Sequence, residues 1–145
     1  MPEQSQFIYK YFTGHLLALG CRDPPLPLQM TKRILKDALR AIAAMHDQDI
    51  VHTDIKVDNV MVEWLEKENN IVIEQVQVAD LEDAAIVPPG ADILGILTGN
   101  YMWRSPEAHA SARVNKSSDM FSFGAVVCTT ISATFVTLHR LTMGW

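Results

Sequence analysis

The residues with the most chemistry per position lie between His52 and Asn59, in the run HTDIKVDN. Asp54 offers a carboxylate, Lys56 a cation shortly after it, and Asn59 a neutral oxygen beyond that. Phosphoryl transfer needs these parts: a carboxylate to accept the proton of the attacking hydroxyl, a cation near the moving phosphate, and oxygen ligands for Mg²⁺. Asp80, in the run Asp80-Leu81-Glu82, adds a second carboxylate after an apolar stretch. A lone Asp in a turn more commonly bonds its own backbone, and Asp58 and Asp83 are expected to do that or to be solvated.

Loops of this kind need rigid elements to hold them. Met30, Ile34, Leu35, Ala38, Leu39, Ile42 and Met45 recur at helical spacing, so Met30 to Met45 is predicted to be an amphipathic helix leading into the polar segment Asp49 to Asn59. Val60 to Trp64 and Val72 to Ala79 read as two short strands joined by a charged turn containing Asn69-Asn70, which predicts a hairpin directly after Asn59. Upstream, Phe7 to Phe12 reads as a short strand and Thr13 to Leu19 as a short helix ended by Gly20. Pro24, Pro25 and Pro27 then force a loop, as Val87 to Gly90 does later. Ser117-Ser118-Asp119 carries short polar side chains that suit a helix cap.

Composition narrows the classes. The chain has 145 residues, enough for one core, and a net charge of -5 without any Lys/Arg run, which speaks against nucleic acid as a partner. Cys21 and Cys128 make no disulfide framework, so a reducing compartment is the default, and no Cys/His cluster has zinc spacing. The opening MPEQSQFIYKYF lacks the pattern of a secretory signal, which points to a cytoplasmic or nuclear setting. Met120 to Leu138 is uncharged and nearly long enough to span a membrane, but its six Ser and Thr residues favour a buried helix of a core, with Cys128 inside it.

The octapeptide resembles the catalytic loop of eukaryotic-type protein kinases, H-R-D-L-x-x-x-N. The resemblance continues in order. Asp80-Leu81-Glu82 stands where kinases have D-F-G, Thr98 to Tyr101 and Arg104-Ser105-Pro106-Glu107 where they have the substrate-docking loop and A-P-E, and Asp119 to Gly124 is similar to the D-x-W-S-x-G that opens the central helix of the large lobe. It covers about residues 7 to 128, and Lys56 follows the serine/threonine pattern.

That resemblance implies ATP and Mg²⁺ as cofactors and a protein as substrate. By it, Asp54 is the base, Lys56 steadies the γ-phosphate, and Asn59 and Asp80 hold Mg²⁺. Tyr9 is the gatekeeper, and the backbones of Lys10 and Phe12 face the adenine edge. Glu107 anchors the end of the activation segment, Asp119 accepts backbone hydrogen bonds from the catalytic loop, His52 is a packed structural residue, and Thr98 is a helper that bonds Asp54 and Lys56 rather than a phosphosite.

Three departures accompany the match. Thr53 replaces the usual Arg, whose partner is a phosphate on the activation segment. Leu81 and Glu82 replace Phe and Gly; Leu is expected to fill the apolar slot. No G-x-G-x-x-G and no strand Lys precede Phe7, and TTISATFVTLHRLTMGW after Cys128 departs from the pattern. Residues 1–145 are therefore expected to be a partial kinase domain lacking most of the small lobe, with a partial gene model as the simplest account. The expected fold is α+β: a C-terminal lobe fragment, mainly helical, with a short β-hairpin and exposed apolar surface. The competing reading is an inactive pseudokinase or fragment that acts as a protein-binding scaffold.

Overall fold

The computed structural model describes residues 10–22, 25–68, 70–95 and 97–143. Its organising element is a long helix, α2 (Leu28–His46). Pro27 precedes it, and the Pro27 carbonyl accepts from the Met30 and Thr31 amides. Proline suits this entry because its fixed φ is compatible with a helix start. Ile34, Leu35, Ala38 and Ile42 are buried along one stripe, as the spacing predicts, and Thr31 joins them, whereas Leu39, expected in the stripe, is exposed. Each fully buried branched side chain there stabilises the fold by roughly 1.5–3 kcal/mol. The helix stops at a turn in which Asp49 takes a positive φ of 57°, and the chain enters β2 (Ile50–Val51).

A three-stranded antiparallel sheet in the order β1-β3-β4 packs on α2. It comprises β1 (Gly14–His15), β3 (Val60–Lys67) and β4 (Asn70–Val78). The hairpin is longer than the sequence pattern suggests. A register irregularity between Glu63 and Trp64 breaks the alternation of apolar and polar residues, and pairing then runs on through Leu65↔Val72 to Lys67↔Asn70. Lys10 to Phe12 is not a strand, and the rest of the predicted strand Phe7 to Phe12 lies outside the described residues. Pairing instead begins at Gly14, where Thr13 Oγ1 bonds the backbone of Trp64 and a Cβ would stand 2.7 Å from the Trp64 ring.

The short helix α1 (Leu16–Gly20) buries Leu16 and Leu19, and His15 Nδ1 caps it by accepting from the Ala18 amide. A second, two-stranded sheet pairs β2 with β5 (Ala85–Ile86). Two helices follow, α3 (Pro106–His109) and α4 (Lys116–Met143). The cap of α4 is Asn115, not the Ser117–Asp119 run. Asn115 Oδ1 accepts from the Ser117 amide at 3.0 Å, and Ser118 Oγ reciprocates by accepting from the Asn115 amide at 3.4 Å.

Phe123 and Val126 of α4 join Ile34, Ile42, Ile55, Val60 and Val62 in one core. Cys128, expected inside that core, is exposed. Among the described residues no helix is long and apolar enough to cross a membrane. The architecture is α+β, with helices and small antiparallel sheets.

Candidate active site

The Asp49–Asn59 segment is held from beneath by one carboxylate. Asp119, 1% exposed in the first turn of α4, accepts from the His52 amide through Oδ2 at 2.8 Å and from the Thr53 amide through Oδ1 at 2.9 Å. His46, in the last turn of α2, places Nε2 2.9 Å from the same Oδ2. Buried backbone donors need such partners, so Asp119 fixes the path of the loop by satisfying them. His46 was not legible as part of this site, because its partner lies 73 residues away in sequence. His52 is fully buried, and its Nε2 lies 2.9 Å from the Ala79 carbonyl oxygen.

On this support the loop turns Asp54, Lys56 and Asn59 toward one another. Lys56 Nζ donates to Asp54 Oδ2 at 2.5 Å and stands 3.9 Å from Asp80 Oδ2. Asn59 Nδ2 donates to the Asp54 carbonyl at 2.9 Å and to Asp54 Oδ2 at 3.3 Å, which turns the amide oxygen away from Asp54. The bond to Asp54 holds the Lys56 ammonium above its ordinary pKa, against the opposing effect of burial, and the charges of Asp54, Asp80 and Asp58 add to it. The four residues singled out at the start are thus brought to one place. Asp58 remains exposed beside them.

Asp80 is held more loosely, its side chain 49% exposed. It follows β4 with a positive φ of 68°, a left-handed conformation that Asp adopts more readily than most residues. Leu81 is 53% exposed, so it does not fill the apolar slot expected of it. Downstream, the expected helper Thr98 makes no hydrogen bond through Oγ1. The donor to Asp54 Oδ1 is instead the Asn100 amide, at 2.7 Å. Gly99 sets this up: its φ is +75°, a Cβ there would collide with the Thr53 carbonyl oxygen, and Arg104 Nη2 donates to the Gly99 carbonyl oxygen.

Glu107 sits at the start of α3, where Ser118 Oγ donates to its Oε1 at 2.6 Å. Burial acts to raise the Glu107 pKa. Hydrogen bonds from Ser118, its own amide and Ser105 outweigh that and hold the carboxyl below its ordinary range. Of the residues expected at the adenine edge, Tyr9 lies outside the described residues. Lys10 is exposed, with Nζ 2.7 Å from Gln75 Oε1 and 3.1 Å from Glu63 Oε2, and Phe12 is buried.

Among the described residues no group of three or more His, Cys, Asp and Glu side chains could hold a metal ion. The oxygen groups around Lys56 are the Asp54 and Asp80 carboxylates, with the Asn59 amide beside Asp54. Such a set suits a hard cation that keeps part of its coordination for water or for phosphate oxygens.

Residues 3–141 match the protein kinase domain family. The chain is 30% identical over 129 residues to the serine/threonine-protein kinase pkn2 of Myxococcus xanthus, a match covering 86% of this chain and 15% of that protein. It is 27% identical over 135 residues to the U-box domain-containing protein 33 of Arabidopsis thaliana, covering 87% of this chain and 15% of the relative. It is 29% identical over 136 residues to the serine/threonine-protein kinase D3 of Mus musculus, covering 92% and 15%. The chain thus spans about 15% of the length of these relatives.

Proposed function

The chain belongs to the protein kinase domain family, and from that premise we propose that its site moves the γ-phosphate of ATP to serine or threonine hydroxyls of a protein substrate. The observation that carries this reading is the convergence of Asp54, Lys56, Asn59 and Asp80, with Lys56 Nζ between the two carboxylates at 2.5 and 3.9 Å. The described residues correspond on this reading to the large, C-terminal lobe of the family's domain.

Asp54 is the general base. Its Oδ2 is taken by Lys56 and Asn59 and its Oδ1 by the Asn100 amide, and a carboxylate offers about four lone-pair sites. One site therefore stays open for a substrate hydroxyl, on an oxygen whose orientation three donors fix. Lys56 steadies the γ-phosphate and lowers the charge that accumulates beside Asp54. Asn59 Oδ1 and the Asp80 carboxylate hold Mg²⁺, which, when bound, neutralises charge on the phosphate oxygens. The backbones of Lys10 and Phe12 face the adenine edge on this reading, and the gatekeeper role falls to Tyr9.

Binding of Mg-ATP raises the melting temperature on this reading, because a ligand bound only by the folded state stabilises it. Asp80→Ala removes the shift. No shift at millimolar Mg-ATP contradicts the proposal. The scaffold reading draws on the exposed apolar side chains Leu94, Leu97, Tyr101 and Met102, which flank Asn100 in sequence. It predicts binding to a protein partner that Asp54→Asn leaves unchanged.

A further inference from the structure

Asp80 is the least constrained member of the cluster by its side chain, so its position depends on its backbone neighbours. On its N-terminal side, Ala79 is held twice: its amide donates to the Asn59 carbonyl at 2.9 Å, and its carbonyl lies 2.9 Å from His52 Nε2. On its C-terminal side, the tie to the catalytic loop is different. Thr53 Oγ1 donates to the Asp83 carbonyl at 3.0 Å. Asp83 lies in a tight turn in which the Ala84 amide bonds the Leu81 carbonyl at 3.1 Å.

Thr53 is an unusual residue for its place. It is buried, β-branched and left-handed, with φ 68°, a conformation that Gly or Asn adopts with far less strain. Its backbone is fixed on both sides, by Asp119 at the amide and by Gly99 packed against the carbonyl. A strained backbone held by its surroundings aims the hydroxyl in one direction, and that direction is the turn after Asp80.

We propose that Thr53 is a positioning residue whose hydroxyl clamps the Leu81–Ala84 turn to the catalytic loop, so that Asp80 is bracketed between two anchors and stays in register with Asp54. The tie consists of a hydroxyl and a carbonyl, with no ionisable group, so it holds without a phosphate and is insensitive to salt. This rests on the kinase reading for its purpose but not for its existence.

The test is hydrogen–deuterium exchange of the full chain, with Thr53→Val, which keeps shape and branching, and Thr53→Ser, which keeps the hydroxyl. Thr53→Val raises exchange at the Ala84 amide about tenfold and leaves the Ile73 amide of β4 unchanged; Thr53→Ser restores protection. In parallel, Thr53→Val weakens Mg-ATP binding about tenfold, and phosphatase treatment of the wild type changes neither exchange nor binding. Unchanged exchange at Ala84 in Thr53→Val, an equal rise at Ile73, or failure of Thr53→Ser to restore protection overturns the clamp. If the wild type binds no Mg-ATP while Thr53→Val still loosens Ala84, the clamp stands and the kinase reading falls.

Discussion

The two halves of the candidate site are built differently. From Ile50 to Asn59 the chain is tied inward: Val51, His52, Thr53, Ile55, Val57 and Asn59 are buried, and Asp119 of α4, its carboxylate met by His46 of α2, holds the backbone. From Asp80 to Met102 the chain runs near the surface, with Leu81, Ile86, Leu94, Leu97, Tyr101 and Met102 exposed. The proposed base is therefore preorganised by the fold, whereas the proposed metal side depends on a few local ties. Low-stability segments of this kind are where ligand binding and regulation can act, because they move without unfolding the core.

The largest effect is expected where the inner half is cut. Asp119→Ala leaves the buried His52 and Thr53 amides without partners and strips His46 of its acceptor. At about 1–3 kcal/mol for each unsatisfied group, the loss is roughly 3–5 kcal/mol, seen as a lower midpoint in urea with unchanged slope. A loss below about 1 kcal/mol removes the claim that Asp119 supports the loop. Gly99→Ala comes next. It demands a positive φ of a residue with a Cβ and drives that Cβ into the Thr53 carbonyl oxygen. A cost of about 1–3 kcal/mol is expected, together with loss of the Asn100–Asp54 contact. Wild-type stability in this variant would show that the two halves do not meet at Gly99.

Smaller effects sharpen the contrast through pH. Glu107 has a depressed pKa, so it contributes stability above its unfolded value of about 4.3, and this is lost as pH falls through the folded value. Ser118→Ala removes one of the bonds responsible and opens the capping box at Asn115. It costs about 1–2 kcal/mol near neutral pH and moves acid unfolding to higher pH. An unchanged acid limb contradicts the role given to Ser118. Lys56 is raised, so its contribution is complete below about pH 10.4 and is lost as pH rises through its folded pKa. Lys56→Met therefore changes the alkaline limb. The smallest stability effect is expected for Asp80→Ala, near zero by thermal melting because the side chain is half exposed.

The same division explains what could be read from the sequence. Asp54, Lys56 and Asn59 are close in sequence, so their types and spacing alone suggested their meeting. The α2 stripe and the hairpin were legible because burial imposes a period. The hairpin's length was not, because the irregularity after Glu63 resets the alternation and Leu65, Glu66 and Lys67 at the end of β3 are all exposed, so no buried face marks the last pairs. His46 was missed because its partner Asp119 is distant in sequence, and Asn100 because it acts through its backbone; Asn115 was missed because the Ser117–Asp119 run just after it also offers capping side chains. Thr98 was expected to be the helper that bonds Asp54, but the turn at Gly99 presents the Asn100 amide instead, a donor every residue but proline carries. Cys128 was assigned to the core from an apolar run, although on α4 the buried face falls to Phe123 and Val126.

The central claim is that the Asp54 cluster performs phosphoryl transfer. The most direct measurement is transfer of label from γ-labelled ATP, with Mg²⁺, to mixed serine-, threonine- and tyrosine-containing peptides, comparing wild type with Asp54→Asn. The account predicts transfer to serine and threonine peptides by the wild type, and a loss of about 10²–10⁴-fold on removing the base, with the fold unchanged. Labelling that Asp54→Asn leaves intact, or no labelling by a wild type that binds Mg-ATP, would contradict it.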